Sequence, residues 1–191
     1  MGRPRAFDVD EALDAALDRF WRHGYRGTSV RDLADELGIG TASFYHAFQG
    51  KRALFLRALE RYLDSTTRER IGRLQGSLPP KQAVRAFVRE IVEKSVRDRR
   101  GCFLVNSALE VAPHEPALRA EIAARLGEIE TFFRRSIKAA QRDGSVPKGR
   151  PATAVARHLL TVVLGCRVLA RSKPDRKILE GAARSALALL E

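Results

Sequence analysis

Cysteine is nearly absent from this chain. Cys102 and Cys166 are the only two in 191 residues. They form no CxxC pair, and no His/Cys cluster has zinc-ligand spacing, so a disulfide framework and a structural metal are both excluded. No apolar run reaches the roughly 20 residues of a membrane span. The opening MGRPRAFDVDEAL has no apolar signal core. Ala6 stands where a myristoylation signal needs Ser or Thr. A soluble, cytoplasmic protein with no membrane partner is the expectation. Enzyme signatures are missing too: no G-x-S-x-G elbow, no phosphate-cradling Gly loop, no H-E-x-x-H and no paired acids with an evident role. His23, His46, His114 and His158 are scattered over different elements. An enzyme is therefore not expected, nor any cofactor or metal. Internal repeats and low-complexity segments are also lacking.

What remains is rich in Ala, Leu, Arg and Glu and poor in β-branched runs, which favours helices throughout. The length allows one compact domain plus a small one. The formal net charge is +12. It is unevenly placed: residues 1–62 balance to +1 and residues 63–191 to +11. A polyanionic partner suits the total, but the charge does not locate the site.

The stretch Thr28 to Lys51, TSVRDLADELGIGTASFYHAFQGK, carries the clearest signal. Thr28 and Ser29 supply an N-cap, with Asp32 at capping-box distance. Val30, Leu33, Ala34 and Leu37 recur at helical spacing, and Gly38 sits where a helix ends in a left-handed residue. A second short helix follows from Gly40-Thr41. Phe44 and Phe48, four apart, share its buried face. Thr41, Ala42, Ser43, Tyr45 and His46 are left outward. These are small, hydroxyl-bearing or aromatic, which suits phosphates, base edges and thymine methyls. Two short helices with this turn spell a helix-turn-helix that reads DNA. The bases Arg3, Arg5, Arg31, Lys51 and Arg52 bracket it. Arg3-Pro4-Arg5 is a basic arm that fits phosphates or a minor groove, or equally a frayed terminus.

Elsewhere the periodicity predicts a first helix from Asp8 with an apolar stripe of Val9, Leu13, Ala16, Leu17, Phe20 and Trp21. A long fourth helix runs from Lys51 to a break at Gly76–Pro80. A fifth follows from Lys81, a buried sixth over GCFLVNSALEVAP, and a seventh from Pro116 to Asp143. An eighth begins at Pro151 and a ninth spans Asp175 to Leu190. The fold class is all-α: an amino-terminal three-helix domain at residues 1–50, joined by a long helix to a helical effector-binding and dimerisation domain at 51–191. The last two helices have wide apolar faces with small residues, which predicts a homodimer through them. Packing within one chain is the alternative.

The pattern from GRPRAF through GYRGTS, LADELGI and SFYHAFQGK to KRALF resembles the TetR family of bacterial transcriptional regulators over the first third of the chain. That resemblance implies phosphate contacts from Thr28, Ser29 and Arg31, and a major-groove face of Thr41, Ala42, Ser43, Tyr45 and His46. It also implies a backbone contact from Lys51. The implied partners are a palindromic double-stranded DNA operator and a small-molecule effector of unknown identity. Effector binding would swing the fourth helix and release the operator. Ala42 has no side-chain donor or acceptor for a base.

The GCFLVNSALE segment resembles a Gly-Cys subgroup that includes NemR-like electrophile sensors. Cys102 at a helix N-terminus, after Arg97, Arg99 and Arg100, has a route to a lowered thiol pKa. It can equally be a small buried apolar residue. Cys166, inside an apolar helix, reads as core. For a non-covalent effector, Phe87, Ile91, Phe103, Asn106, Glu110, Phe132, Phe133 and Arg167 are candidates to line a cavity between the fifth to eighth helices. A nucleic-acid binder without an effector is a further class, and would need no such cavity.

Overall fold

A computed structural model describes residues 8–191. The basic arm with Arg3 and Arg5 lies outside the described residues. Every regular element described is helical. The order is α1 Val9–His23, α2 Val30–Glu36, α3 Thr41–Phe48, α4 Lys51–Leu63, a π-helical turn Asp64–Arg68, and α5 Glu69–Ser77. Then follow α6 Pro80–Arg97, α7 Phe103–Glu110, α8 Pro116–Arg142, α9 Ala152–Ser172, α10 Arg176–Leu187 and a 3₁₀ turn Ala188–Leu190. The single fourth helix of the sequence reading is thus α4 and α5, joined through a wider π turn.

The chain divides into two compact units, the first ending at Ser65 and the second spanning Thr66–Glu191. A boundary at 50/51 is too early, because α4 completes the first core. On α1, Ala12, Leu13, Ala16 and Phe20 are buried. Leu54, Phe55, Ala58, Leu59 and Tyr62 of α4 are buried too. The Phe55 ring meets Phe20 edge-on at 5.3 Å between centroids and Tyr25 at 4.9 Å. Such pairs stabilise beyond simple area burial. Without α4, Phe20 and Tyr25 would face water. Three members of the expected α1 stripe behave differently, Leu17 being half-buried. Val9 stays exposed, while half-buried Trp21 stands edge-on to Tyr62 at 5.0 Å.

Local chemistry sets the helix ends. Asp8 caps α1, its carboxylate accepting from the N–H groups of Asp10 (2.8 Å) and Glu11 (3.3 Å). Arg61 of α4 reaches back to α1, donating to both carboxylate oxygens of Asp14 at 2.5 and 2.6 Å and to Asp10 at 2.9 Å. The hydrogen bond from Arg61 holds the Asp14 carboxyl below its ordinary range.

In the second unit, α6, α8, α9 and α10 share a core. Val84, Phe87, Val88 and Val92 come from α6; Ile122, Phe132, Phe133 and Ile137 from α8; Val155, Leu159, Val163 and Cys166 from α9; Leu179, Ala186 and Leu187 from α10. Pro80 and Pro116 open α6 and α8, where a missing N–H costs nothing. By length and composition α9 could cross a membrane, with a mean hydropathy of 1.4 over its most apolar window. That corrects the expectation of no span-length apolar run. Its packing against α6, α8 and α10 is that of a core helix, and it carries a second apolar face with Val168 41 % and Leu169 43 % exposed. The sixth helix expected to be buried, α7, is so on one side only: Phe103, Leu104, Val105 and Ser107 are inside, and Leu109 is exposed.

Two outcomes test this account. Phe55→Ala should destabilise the first unit by about 3–5 kcal/mol, the usual cost of truncating a buried Phe, measured by urea unfolding. An unaltered midpoint would refute the central place of that ring. Asp14 has a depressed pKa, so its contribution is present above the unfolded value near 3.8 and lost as pH falls through the lower folded value. Arg61→Gln should therefore melt below the wild type at about pH 6, with the gap closing towards about pH 3.

Candidate nucleic-acid interface and effector site

The helix-turn-helix forms as its residues dictate. Ser29 caps α2: the Asp32 N–H donates to Ser29 Oγ at 3.1 Å, and the Ser29 N–H donates to Asp32 Oδ2 at 2.8 Å. This reciprocal box satisfies two otherwise orphaned donors. The Ser29 N–H, and then the Ser29 hydroxyl donating to the same Asp32 oxygen at 2.8 Å, hold the Asp32 carboxyl below its usual range. At the other end Gly38 has φ +64. The Ile39 N–H reaches Ala34 O at 3.0 Å and the Gly38 N–H reaches Asp35 O at 3.1 Å. These paired bonds close a helix through a left-handed residue that only glycine adopts without strain.

α3 is anchored by Phe44 and Phe48, both buried, with ring centroids 5.5 Å apart. Thr41, Ala42, Ser43, Tyr45 and His46 are all exposed. Tyr45 is 53 % exposed and meets Phe44 edge-on at 5.8 Å, so its ring is steadied while its hydroxyl faces out. Arg31 on α2 is also open to solvent, with a loose approach of 3.9 Å to Asp35.

Two expected phosphate contacts have other employment. Thr28 is fully buried, and its hydroxyl donates to Gly24 O at 2.7 Å. Its side chain ties down the GYRGTS approach and is closed to a phosphate. Lys51 is half-buried. Its Nζ donates to Tyr25 O at 3.1 Å and to Thr28 O at 3.0 Å, and stands 4.3 Å from the centre of the Tyr25 ring. It clamps the same approach loop. The Lys51 contacts join residues far apart in the chain, so spacing could not reveal them, whereas the Thr28 bond is a local one to the residue four earlier.

The expected cavity set in the second unit is only partly assembled. Phe87, Phe132 and Phe133 are buried and pack on one another at 5.1–5.4 Å, filling the space they were expected to line. Phe103 is buried; Ile91, Asn106 and Glu110 are half-buried. Of these residues, Phe132 also lines an open groove of about 650 Å³ between α5 and α8, beside Ile71, Gly72 and Gly127. Arg167 does not point into open space. It is 3 % exposed, and its guanidinium donates to Ser95 Oγ at 3.2 Å and, closely, to Gly101 O. It bolts α9 to α6 and to the turn before α7.

Cys102 is the N-cap of α7 and half-buried. Around it the turn is crowded. Gly101 has φ +79, and a Cβ there would lie 2.9 Å from the Arg171 side chain and 3.1 Å from Asn106 Oδ1. Asn106 donates to Arg100 O at 2.9 Å, but its buried Oδ1 has no hydrogen-bond partner among the described residues. Lys94 of α6, half-buried, enters here unannounced by the sequence. Its pKa is pushed down, first by burial and then by the Arg167 and Arg70 charges, with Cys102 and Asp98 acting in the opposite sense. A lone Lys on an amphipathic helix carries no sequence signal. Cys166 is buried, and burial pushes its thiol pKa up, as for plain core. Among the described residues no group of three or more His, Cys, Asp or Glu side chains is placed to hold a metal ion.

This geometry has close counterparts. Residues 12–58 match the model for bacterial regulatory proteins of the tetR family, and residues 80–186 match the tetracyclin repressor-like carboxy-terminal domain. The TetR family transcriptional regulator CifR, solved in a cysteine-substituted form with 26-base-pair operator DNA, is 34 % identical with a TM-score of 0.87, covering all of both chains. YezE, an uncharacterised HTH-type transcriptional regulator of Bacillus subtilis, is 31 % identical over the full length of both chains. Reduced Escherichia coli NemR shares the fold, with a TM-score of 0.82 over 95 % of this chain and 96 % of NemR, at only 17 % identity. The chain belongs to the tetR family of bacterial regulatory proteins and is a DNA-binding transcriptional regulator.

Proposed function

We propose that this protein binds a palindromic operator as a homodimer and lets it go when a chemical signal acts on the second unit. The observation that carries the reading is the face of α3: two buried phenylalanines hold it, and its exposed side carries small, hydroxyl-bearing and aromatic groups suited to phosphates, base edges and thymine methyls. The reading residues are Thr41, Ala42, Ser43, Tyr45 and His46, with Arg31, the Ser29 segment and the Arg3-Pro4-Arg5 arm on phosphates. The dimer forms through α9 and α10, where Val168 and Ile178 are 41 % and 46 % exposed. A chromosomal operator places the protein in the cytoplasm. The operator complex of CifR supports the reading by analogy. Repression is the outcome that occupancy of an operator would give.

For the signal, modification of Cys102 has the better support. Cys102 stands at the N-cap position of α7 and shares its surroundings with half-buried Lys94 of α6, which also feels the Asp98 carboxylate. A non-covalent effector is favoured by the groove between α5 and α8. Release then follows if either signal binds the operator-incompetent state better.

Tyr45→Ala with His46→Ala should leave the unfolding midpoint within about 0.5 kcal/mol of wild type, since both side chains are exposed. Operator affinity, read by fluorescence anisotropy, should fall at least tenfold; unchanged affinity would sink the assignment of α3. Lys51→Ala makes the contrast, costing about 1–3 kcal/mol of stability through two abandoned carbonyls. For the signal, Cys102→Ser should bind operator normally yet resist release by N-ethylmaleimide, whereas Cys166→Ser should still release. Persistent release from Cys102→Ser would remove the thiol reading.

A further inference from the structure

The two walls of α6 and α10 enclose a groove of about 580 Å³. Its floor is Val92, Ala183 and Leu187, and its rim is charged. The rim holds as many acids as bases, yet its acids are already matched. Glu93 accepts from Arg176 at 2.5 and 3.0 Å, and Glu180 accepts from the same guanidinium at 3.0 Å. Glu191 accepts from Lys81 at 3.1 Å and closely from Arg85. That leaves Arg89 on one wall and Arg184 on the other. Both are exposed, and among the described residues neither has a carboxylate partner.

We infer that this groove is a binding site for a small organic carboxylate with an apolar body. Two planar guanidiniums across one groove match a carboxylate, which accepts paired N–H bonds from such a fork. The apolar floor accounts for the body, since a fully hydrated inorganic anion would gain nothing from Val92 and Leu187. The volume lies within the usual range for small-molecule sites, about 300–1,000 Å³.

The groove is also separate from the proposed dimer surface. Along α10, Glu180, Ala183, Arg184 and Leu187 follow one flank at helical spacing, while exposed Ile178 and Ser185 lie on another. A second copy seated on Ile178 leaves Arg184 accessible. Nor does the site share residues with Cys102 or the α5–α8 groove.

The test is isothermal titration of the full-length protein with octanoate, and with octan-1-ol as the neutral equivalent. Octanoate should bind saturably, at least tenfold more tightly than octan-1-ol, and more weakly as NaCl is raised. The double variant Arg89→Gln/Arg184→Gln, whose changes are on exposed side chains, should keep the wild-type melting profile and operator affinity yet lose at least tenfold in octanoate affinity. The inference is overturned if octanoate does not saturate, if octan-1-ol binds equally well, or if the folded double variant binds octanoate as the wild type does. Operator affinity of the same samples, measured without octanoate, reports separately on the DNA-binding reading.

Discussion

The packing of one ring, Phe55, underlies everything that α3 presents. It sits on the first turns of α4 yet lies edge-on to both Phe20 and Tyr25. Phe20 belongs to α1, and Tyr25 to the loop that leads into the helix-turn-helix. One side chain therefore joins the scaffold helix, the approach loop and α4. Lys51, one turn earlier on α4, closes the same loop through two backbone carbonyls and the face of Tyr25. Three short helices could not bury enough apolar surface alone. With α4 added, the reading helix stands on a core of aromatic pairs rather than on a flexible hairpin.

The second unit is held by a different kind of constraint. A buried guanidinium is costly unless its donors are used. Arg167 meets that demand with Ser95 Oγ and Gly101 O, so α9, α6 and the turn before α7 are fixed together. Gly101 cannot carry a side chain there without striking Arg171 and Asn106. Cys102 follows directly. Its position is therefore set by a packed turn on one side and a helix N-terminus on the other. Alkylation of the thiol would add bulk where that turn has none to spare. Under the proposed thiol signal, the packing that places the thiol would pass its modification on to the turn.

What could be read from residues alone was whatever is local. The Ser29–Asp32 box, the left-handed Gly38, the alternation of Phe44 and Phe48 with an outward face, and the prolines opening α6 and α8 all depend on neighbours within one helical turn. What could not be read depends on contacts across the fold. Thr28 is a local exception: its hydroxyl bonds back to Gly24 O four residues earlier, and a Thr before a helix start does not show whether it bonds backwards or caps forwards. Lys51 looks like a phosphate hand, but two carbonyls hold it. Phe87, Phe132 and Phe133 have the composition of a cavity lining, and instead fill one another. The domain boundary fell early because α4 reads as a new helix after Gln49-Gly50, and only its buried face shows which core it serves. The break between α4 and α5 has no Pro or Gly to mark it, since a π turn needs neither.

Charge placement completes the argument. Non-specific attraction to DNA scales with the phosphates a protein neutralises. Residues 1–62 carry a balance of only +1, and several of their bases are committed: Arg61 to Asp14 and Asp10, Arg19 to Asp32 and Glu36, Lys51 to carbonyls. A single reading head of this composition has few charges for the backbone. Its discrimination must rest on the α3 face, and its affinity on using two such heads at once. The excess of +11 in residues 63–191 does not repair this, because many of those bases also face acids, as Arg68 does Glu128 and Arg70 and Arg73 do Glu90. Under the proposed release, a weakly charged head that needs its twin would let go easily, because a change in the second unit that alters the spacing of the two heads would forfeit the gain of pairing them. Near-neutrality of the first unit would then make operator occupancy sensitive to events far along the chain.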